Sequence, residues 1–295
     1  KLTGSIGTDD YDFMRTKMTS LMRLNLKEVE SKIDGVYKIP IKAFNGKKTL
    51  IKCVLPDKLE RIEGTSNDGA FSGSSLSGAL ILPEGLKYVS GFYETKITNV
   101  HFPSTLEEIG EWTFANCKSL MCEISLPHSL KRIGRAAFST SAIKGNLALP
   151  EGLEFIGDSA FYSCYGLTGS LTIPSGIKMI YKDAFAYCGF TGNLTLPMGL
   201  TEIQQSAFAN TKFKGELNIP STVTTIGGYA FLNTEFNGTL ILPKELTSLG
   251  SSVFSGCWRL SGVVEIPENI IAIPSNLFYS CRNIEGIVLH KDVEV

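Results

Sequence analysis

The stretch "LTIPSGIKMIYKDAFAYC", residues 171–188, returns as "LTLPMGLTEIQQSAFANT" and again as "LNIPSTVTTIGGYAFLNT", each copy beginning 23 residues after the one before. A period of that length is the mark of a solenoid: one unit cannot bury its apolar face alone, so successive units stack and present the same positions again and again along the surface. This repetition constrains the fold more than any single motif in the chain.

The columns of the repeat assign a role to each position. Prolines stand at 56, 83, 103, 127, 150, 174, 197, 220, 243 and 267, mostly 23 or 24 residues apart. Lacking a backbone donor, each belongs at the end of a strand. Aliphatic residues follow at three and six positions beyond, as in Leu59 and Ile62, Leu106 and Ile109, Leu153 and Ile156, Val223 and Ile226, and Ile270 and Ile273, and both point inward. A phenylalanine comes five residues later, at 114, 138, 161, 185, 208, 231, 254 and 278, which predicts a stacked aromatic spine beside a short helical turn. Three residues on is a small side chain: Cys117, Ser141, Cys164, Cys188, Thr211, Thr234, Cys257 or Cys281. Glycines such as Gly78, Gly145, Gly169, Gly215, Gly238 and Gly262 then precede the next strand, where an interior glycine signals a bulge or a close backbone approach.

Two places depart from the pattern. An insertion, "TSND", between Ile62 and Phe71 predicts a protruding loop, and the 20-residue segment from Pro83 to Pro103 lacks the phenylalanine at its usual place. At the N-terminus Tyr11, Met14, Met18 and Leu21 fall at helical spacing behind Thr8 or Asp9, either of which is a suitable cap, so a helical end cap is expected. "LMRLNL" and "LIKCVLP" then place Leu21, Leu24 and Leu26, and Leu50, Cys53 and Leu55, in LxxLxL strands. At the C-terminus, "IVLHKDVEV" puts His290 where proline is usual and shows no amphipathic cap. An uncovered last coil invites edge pairing, so three outcomes are open: the chain continues, "KDVEV" folds over the end, or two chains self-associate through the C-terminal coil.

Taken together, these columns resemble the leucine-rich repeats of the BspA-like, or Treponema-type, class, whose unit reads approximately CxxLxxIxIPxxLxxIxxxAFxx. The resemblance covers residues 21–290; the chain departs from it where the extra glycine-marked residue lengthens LxxLxL to LxxxLxL. The expected fold is a leucine-rich-repeat solenoid of about eleven turns of 23–24 residues, with a parallel β-sheet on one face and short strands and helical turns elsewhere. It is expected as one domain over 1–295: N-terminal cap and first strand in 1–26, repeats in 27–290, and a C-terminal end in 291–295.

Little in the composition points to other chemistry. Lysine and arginine total 28 against 29 aspartates and glutamates, which leaves no electrostatic footprint for nucleic acid or an anionic membrane. No apolar run is long enough to span a membrane. Five of the seven cysteines occupy the small-residue column where serine and threonine substitute, so buried free thiols are expected; the count is odd and there is no CxxC pair. His101, His128 and His290 lie in different turns, and no GxSxG, HExxH or GxxxxGK[ST] motif is present. No cofactor or metal is expected, and no enzyme. Asn193 and Asn237 begin formal glycosylation sequons but belong to strand-entry columns with a structural explanation, and no modification is assigned to them.

The strand face remains. In "LxIP" the middle residue faces outward by alternation, giving Ile81, His101, Ser125, Ala148, Thr172, Thr195, Asn218, Ile241 and Glu265. Of these, His101, Ser125, Thr172, Thr195, Asn218 and Glu265 are candidate binding residues. Tyr162, Tyr165, Tyr187, Trp258 and Tyr279 form a second candidate, an aromatic strip. The resemblance to BspA-like surface proteins of Bacteroides-type bacteria implies a non-enzymatic recognition or adhesion module. It implies an extracellular or surface-anchored placement, the signal or anchor lying outside this sequence, and a host protein, another cell or a glycan as ligand. The alternatives are a glycan-processing enzyme with its site in the irregular turns 62–103, and a structural spacer or scaffold.

Overall fold

The computed structural model describes residues 2–294, which form two compact units, one running to Lys144 and the other starting at Gly145. Each is a β-solenoid of short parallel strands, and the helix Thr8–Thr16 is the one α-helix among the described residues.

Each coil begins with the strand that the proline ends. In the first unit Ser77–Ile81 pairs in parallel with Lys96–His101. In the second, Leu171–Thr172 pairs with Leu194–Thr195, and Gly238–Thr239, Leu260–Glu265 and Asn283–Val288 form a three-stranded sheet. The proline does more than stop the strand. Its carbonyl accepts the amide of the residue three positions on, Leu86 to Pro83, Leu130 to Pro127 and Leu200 to Pro197, at 3.0–3.3 Å. That turn swings the chain through a corner and aims the aliphatic at its end into the core, where Leu86, Leu130 and Leu200 are fully buried.

A second ladder follows the corner. In the first unit Ile39, Ile62, Val89, Ile109 and Ile133 lie in register on successive parallel strands; in the second, Ile180, Ile203, Ile226 and Leu249 do the same. The sheet expected on one face is therefore divided between two ladders. Of the two, the one after the proline is the more continuous, because glycine bulges interrupt the one before it. At Gly262, with φ +75°, the pairing with the next strand slips by one residue. This is where the extra residue of the longer repeats is absorbed.

The aromatic spine is present, but no helical turn flanks it. The phenylalanine sits between two residues in the left-handed region: Trp112 and Asn116 around Phe114, Ser206 and Asn210 around Phe208, Tyr229 and Asn233 around Phe231. With φ positive at both places the chain cannot wind as an α-helix. It folds into hydrogen-bonded turns, and alternate amides are left pointing at the next coil. Trp112, Phe114 and Asn116 donate to the carbonyls of Arg135, Ala137 and Ser139 at 2.7–2.9 Å, and Ser206, Phe208 and Asn210 repeat this on Gly228, Ala230 and Leu232. The backbone polar groups of a buried turn are thereby paired between coils, as burial requires. Within that frame Phe44, Phe71, Phe92, Phe114 and Phe138 stack with centroids 5.0–5.7 Å apart in the first unit. Phe161, Phe185, Phe208, Phe231, Phe254 and Phe278 stack at 5.5–5.7 Å in the second.

The short segment lacks the phenylalanine at its usual place, as expected, but Phe92 fills the spine. It follows Val89 by three residues instead of five, yet it is fully buried between Phe71 and Phe114. Gly91, at φ +83°, provides the tighter path. The inserted loop beside it is closed by Asp68, whose carboxylate accepts the amide and hydroxyl of Thr65 at 2.7 and 2.9 Å. Its neck is backbone against backbone: a Cβ on Gly69 would lie 2.5 Å from the Cα of Gly91.

The ends also differ in detail from expectation. The helix is capped at Gly7, whose amide donates to Asp10, and not at Thr8 or Asp9. It stops at Thr16, so Tyr11 and Met14 reach the core while Met18 lies 40% exposed and Leu21 half-buried. Tyr11 packs edge-on against Phe44, 5.6 Å away, and so closes the aromatic column. Glu294 bridges to Ala272 in parallel and occupies the next rung of the second ladder.

Phe208→Ala removes a ring stacked on both sides and is expected to cost about 3–5 kcal/mol of unfolding free energy in urea denaturation. Thr140→Gly relieves a β-branched residue held at φ 55° and is expected to add about 1 kcal/mol in the same measurement.

Candidate recognition surface

Alternation along the pre-proline strand fixes which side chains face water. Leu80, Val100, Leu171, Leu194, Leu217, Leu240 and Val264 are buried, and all nine outward residues between them are exposed. In the first unit His101 stands in register beside Ile81, and Ser125 is exposed in a later coil. In the second, Thr172 stands beside Thr195, Asn218 is exposed, and Glu265 neighbours Val288.

Each unit bears an open groove on this face. The groove of the first unit, about 710 Å³, has an aliphatic floor of Ile51, Val54, Ala79 and Ile81, with Arg23, Lys27, Lys52 and Asp57 on its margin. The groove of the second, about 1040 Å³, gathers Ile241, Val263, Val288 and Leu289 with Glu245, Glu265, Glu268, Lys244 and His290. Glu265 is the one polar candidate that falls in a groove; His101, Ser125, Thr172, Thr195 and Asn218 lie on the face outside both. Arg23 and Lys52 were legible by the same alternation, since each precedes a core position of an LxxLxL strand just as Ala79 precedes Leu80. Glu245 and Glu268 of the second groove come from the proline corners Lys244–Glu245 and Glu268–Asn269, which no strand pattern marks.

The aromatic candidates do not line up as one strip. Counted from the spine phenylalanine, Tyr162 and Tyr279 are one residue on, Tyr187 two, and Tyr165 and Trp258 four. Tyr162 and Tyr187 meet edge-on at 5.5 Å. Trp258 is covered by the guanidinium of Arg259, 4.6 Å from its ring, while Tyr165 and Tyr279 extend into solvent.

The irregular turns hold carboxylates engaged in local structure. Glu63 pairs with Lys38 and Arg61, Glu84 accepts from the amide and hydroxyl of Ser104, and Glu94 accepts from Asn116. Among the described residues no three histidine, cysteine or acidic side chains converge to hold a metal ion.

The cysteine column has a hydrogen-bonding purpose. The thiols of Cys117, Cys188, Cys257 and Cys281 donate to the carbonyls of Phe92, Phe161, Phe231 and Phe254, one coil earlier, at 2.9–3.2 Å. Where threonine fills the column, Thr211 and Thr234 donate to the phenylalanine carbonyl of their own coil at 2.8 and 2.9 Å. The position thus needs a small side chain with a donor, which is why cysteine, serine and threonine share it. None of the seven cysteines is in a disulfide. Burial pushes the thiols upward, Cys257 to about 12 and Cys117 and Cys281 to about 11, so they are poor nucleophiles.

The family model for the BspA-type leucine-rich-repeat region matches residues 16–91, 37–168, 88–214 and 215–295. A leucine-rich repeat protein from Bacteroides ovatus superposes with a TM-score of 0.64 at 26% identity, over 90% of this chain. The chain spans 63% of that protein's length. The pneumococcal vaccine antigen PcpA shares the fold with a TM-score of 0.51 at 21% identity, over 94% of this chain and 70% of that one. No protein of curated function matches.

The raised thiols carry a pH dependence. An unfolded cysteine ionises near pH 8.5, whereas Cys257 in the fold holds its proton to about 12. Above pH 8.5 the unfolded chain therefore binds fewer protons than the native one, and stability falls as pH rises through that window, by at most about 1.4 kcal/mol per pH unit for each such thiol. Urea denaturation of the protein at pH 8 and pH 10 is expected to show this loss, and Cys257→Thr to reduce it.

Proposed function

Since the chain belongs to the BspA-type leucine-rich-repeat family, we propose that it is a non-enzymatic recognition or adhesion module displayed at the bacterial cell surface. Its ligand is a host protein, another cell or a glycan, bound through the strand face. The family supports a protein-interaction module, and no catalytic family is indicated. No helix among the described residues is long and apolar enough to cross a membrane, so in this reading the segment is displayed and not embedded.

The observation that carries the reading is the pair of exposed aliphatics on the face. Ile81 is 70% and Ile241 75% exposed, each at a position where a solvated sheet is served by a polar residue and each inside a groove with charged margins. Aliphatic floors ringed by polar groups are the composition of a contact surface. The backbone beneath is held by two ladders of inter-coil hydrogen bonds, so little ordering cost accompanies binding.

The test is a surface-binding panel of the protein against matrix proteins, mucins and complex glycans, beside a variant with Thr172, Thr195, Asn218 and Glu265 all changed to lysine. Wild-type protein is expected to bind a member of the panel, and the variant to lose about 100-fold in affinity with an unchanged melting temperature. Absence of binding at micromolar concentration would favour a spacer or scaffold instead.

A further inference from the structure

The groove of the first unit carries a charge arrangement that the fold itself does not need. Arg23 and Lys52 face each other directly across parallel strands, in register, and Lys27 stands on the same margin. Like charges opposite one another in a sheet are destabilising. Among the described residues none of the three has a carboxylate within ion-pair distance, although Lys58 nearby has Glu30 at 2.7 Å. The one acid lining the groove is Asp57. The floor between is aliphatic, with Ile81 exposed, and it contains no aromatic ring on which a sugar would stack.

Building on the recognition reading above, we infer that this groove is the docking site for an acidic, extended peptide segment of a partner protein: its carboxylates meet Arg23 and Lys52 while its aliphatic side chains cover Ile81 and Val54. A carboxylate supplies what the cationic pair lacks, and charge-assisted hydrogen bonds to arginine favour it over neutral acceptors. The aliphatic floor and the missing rings favour a peptide over a sulfated or sialylated glycan, for which the same cations would be attractive.

The probe is a fluorescein-labelled eight-residue peptide alternating glutamate with valine, followed by anisotropy against the protein at low and physiological salt. Its glutamine counterpart and a heparin oligosaccharide serve as controls. The glutamate peptide is expected to bind at least about 10-fold more tightly than the glutamine peptide, and to weaken with salt. Lys52→Glu is expected to lower its affinity at least about 10-fold while leaving the melting temperature equal or about 1–3 °C higher, because the substitution turns a repulsive neighbour into a partner for Arg23. That combination separates a lost site from a damaged fold. Ile81→Asn, at an exposed position, is expected to cost a further several-fold.

Equal binding of the two peptides, an affinity unmoved by Lys52→Glu, or heparin binding without peptide binding would each overturn the inference. If the broader panel finds a ligand whose binding Lys52→Glu leaves intact, the recognition reading stands and this site falls. If the peptide docks here while the panel is silent, the site stands and the wider adhesion reading falls.

Discussion

The fold depends on a turn that cannot be a helix. Two residues before and two after most spine phenylalanines, Phe71 and Phe92 excepted on the leading side, the chain enters the left-handed region, and alternate amides are handed to the next coil. A helix would satisfy its own backbone and leave the coils to be joined by side chains alone. Here the backbone itself is shared between coils, so the rings of Phe185, Phe208 and Phe231 are placed nearly parallel, at interplanar angles of 3° and 10°. The strain of a left-handed threonine or tyrosine is offset by the bonds that the geometry makes available, which is how an unfavourable φ persists in so many coils.

That arrangement decides where variation is free. Core columns repeat because each coil buries the same groups against its neighbour: the proline corner, the inward aliphatics, the phenylalanine and the small donor beneath it. The outward positions of the pre-proline strand touch no neighbour's core, and they change from His101 to Thr172 to Glu265 without consequence for packing. A surface of this kind is suited to recognition because its chemistry and its scaffold are decoupled. The two grooves illustrate this, one with mostly cationic margins and the other mostly anionic, built on the same strand geometry.

Much of this was legible in the residues. Proline spacing located the strand ends, alternation identified every outward side chain from Ile81 to Glu265, and the Cys/Ser/Thr column announced a buried small position. Three features were not. Phe92 escaped because the register shortens by two between Val89 and the ring, and only the inter-coil stack shows that the ring still fills its slot. The left-handed turns escaped because residues as unlike as Trp112, Ala136, Asp183 and Tyr229 adopt them; their φ is imposed by hydrogen bonds to the following coil and not by local preference. Part of the charged groove margins escaped, because Lys27, Glu245 and Glu268 come from corners outside the strand alternation that marks Arg23, Lys52 and Glu265.

From its own periodicity, then, the chain determines a stacked fold, the inward and outward sense of each strand residue and the place of each corner, since all of these follow from which side chains must leave water. Tertiary stacking decides the rest: the conformation of the aromatic turn, the partner of each thiol, and which outward residues share a groove. These depend on atoms more than 20 residues away in sequence, brought to hydrogen-bond distance only when one coil lies on the next.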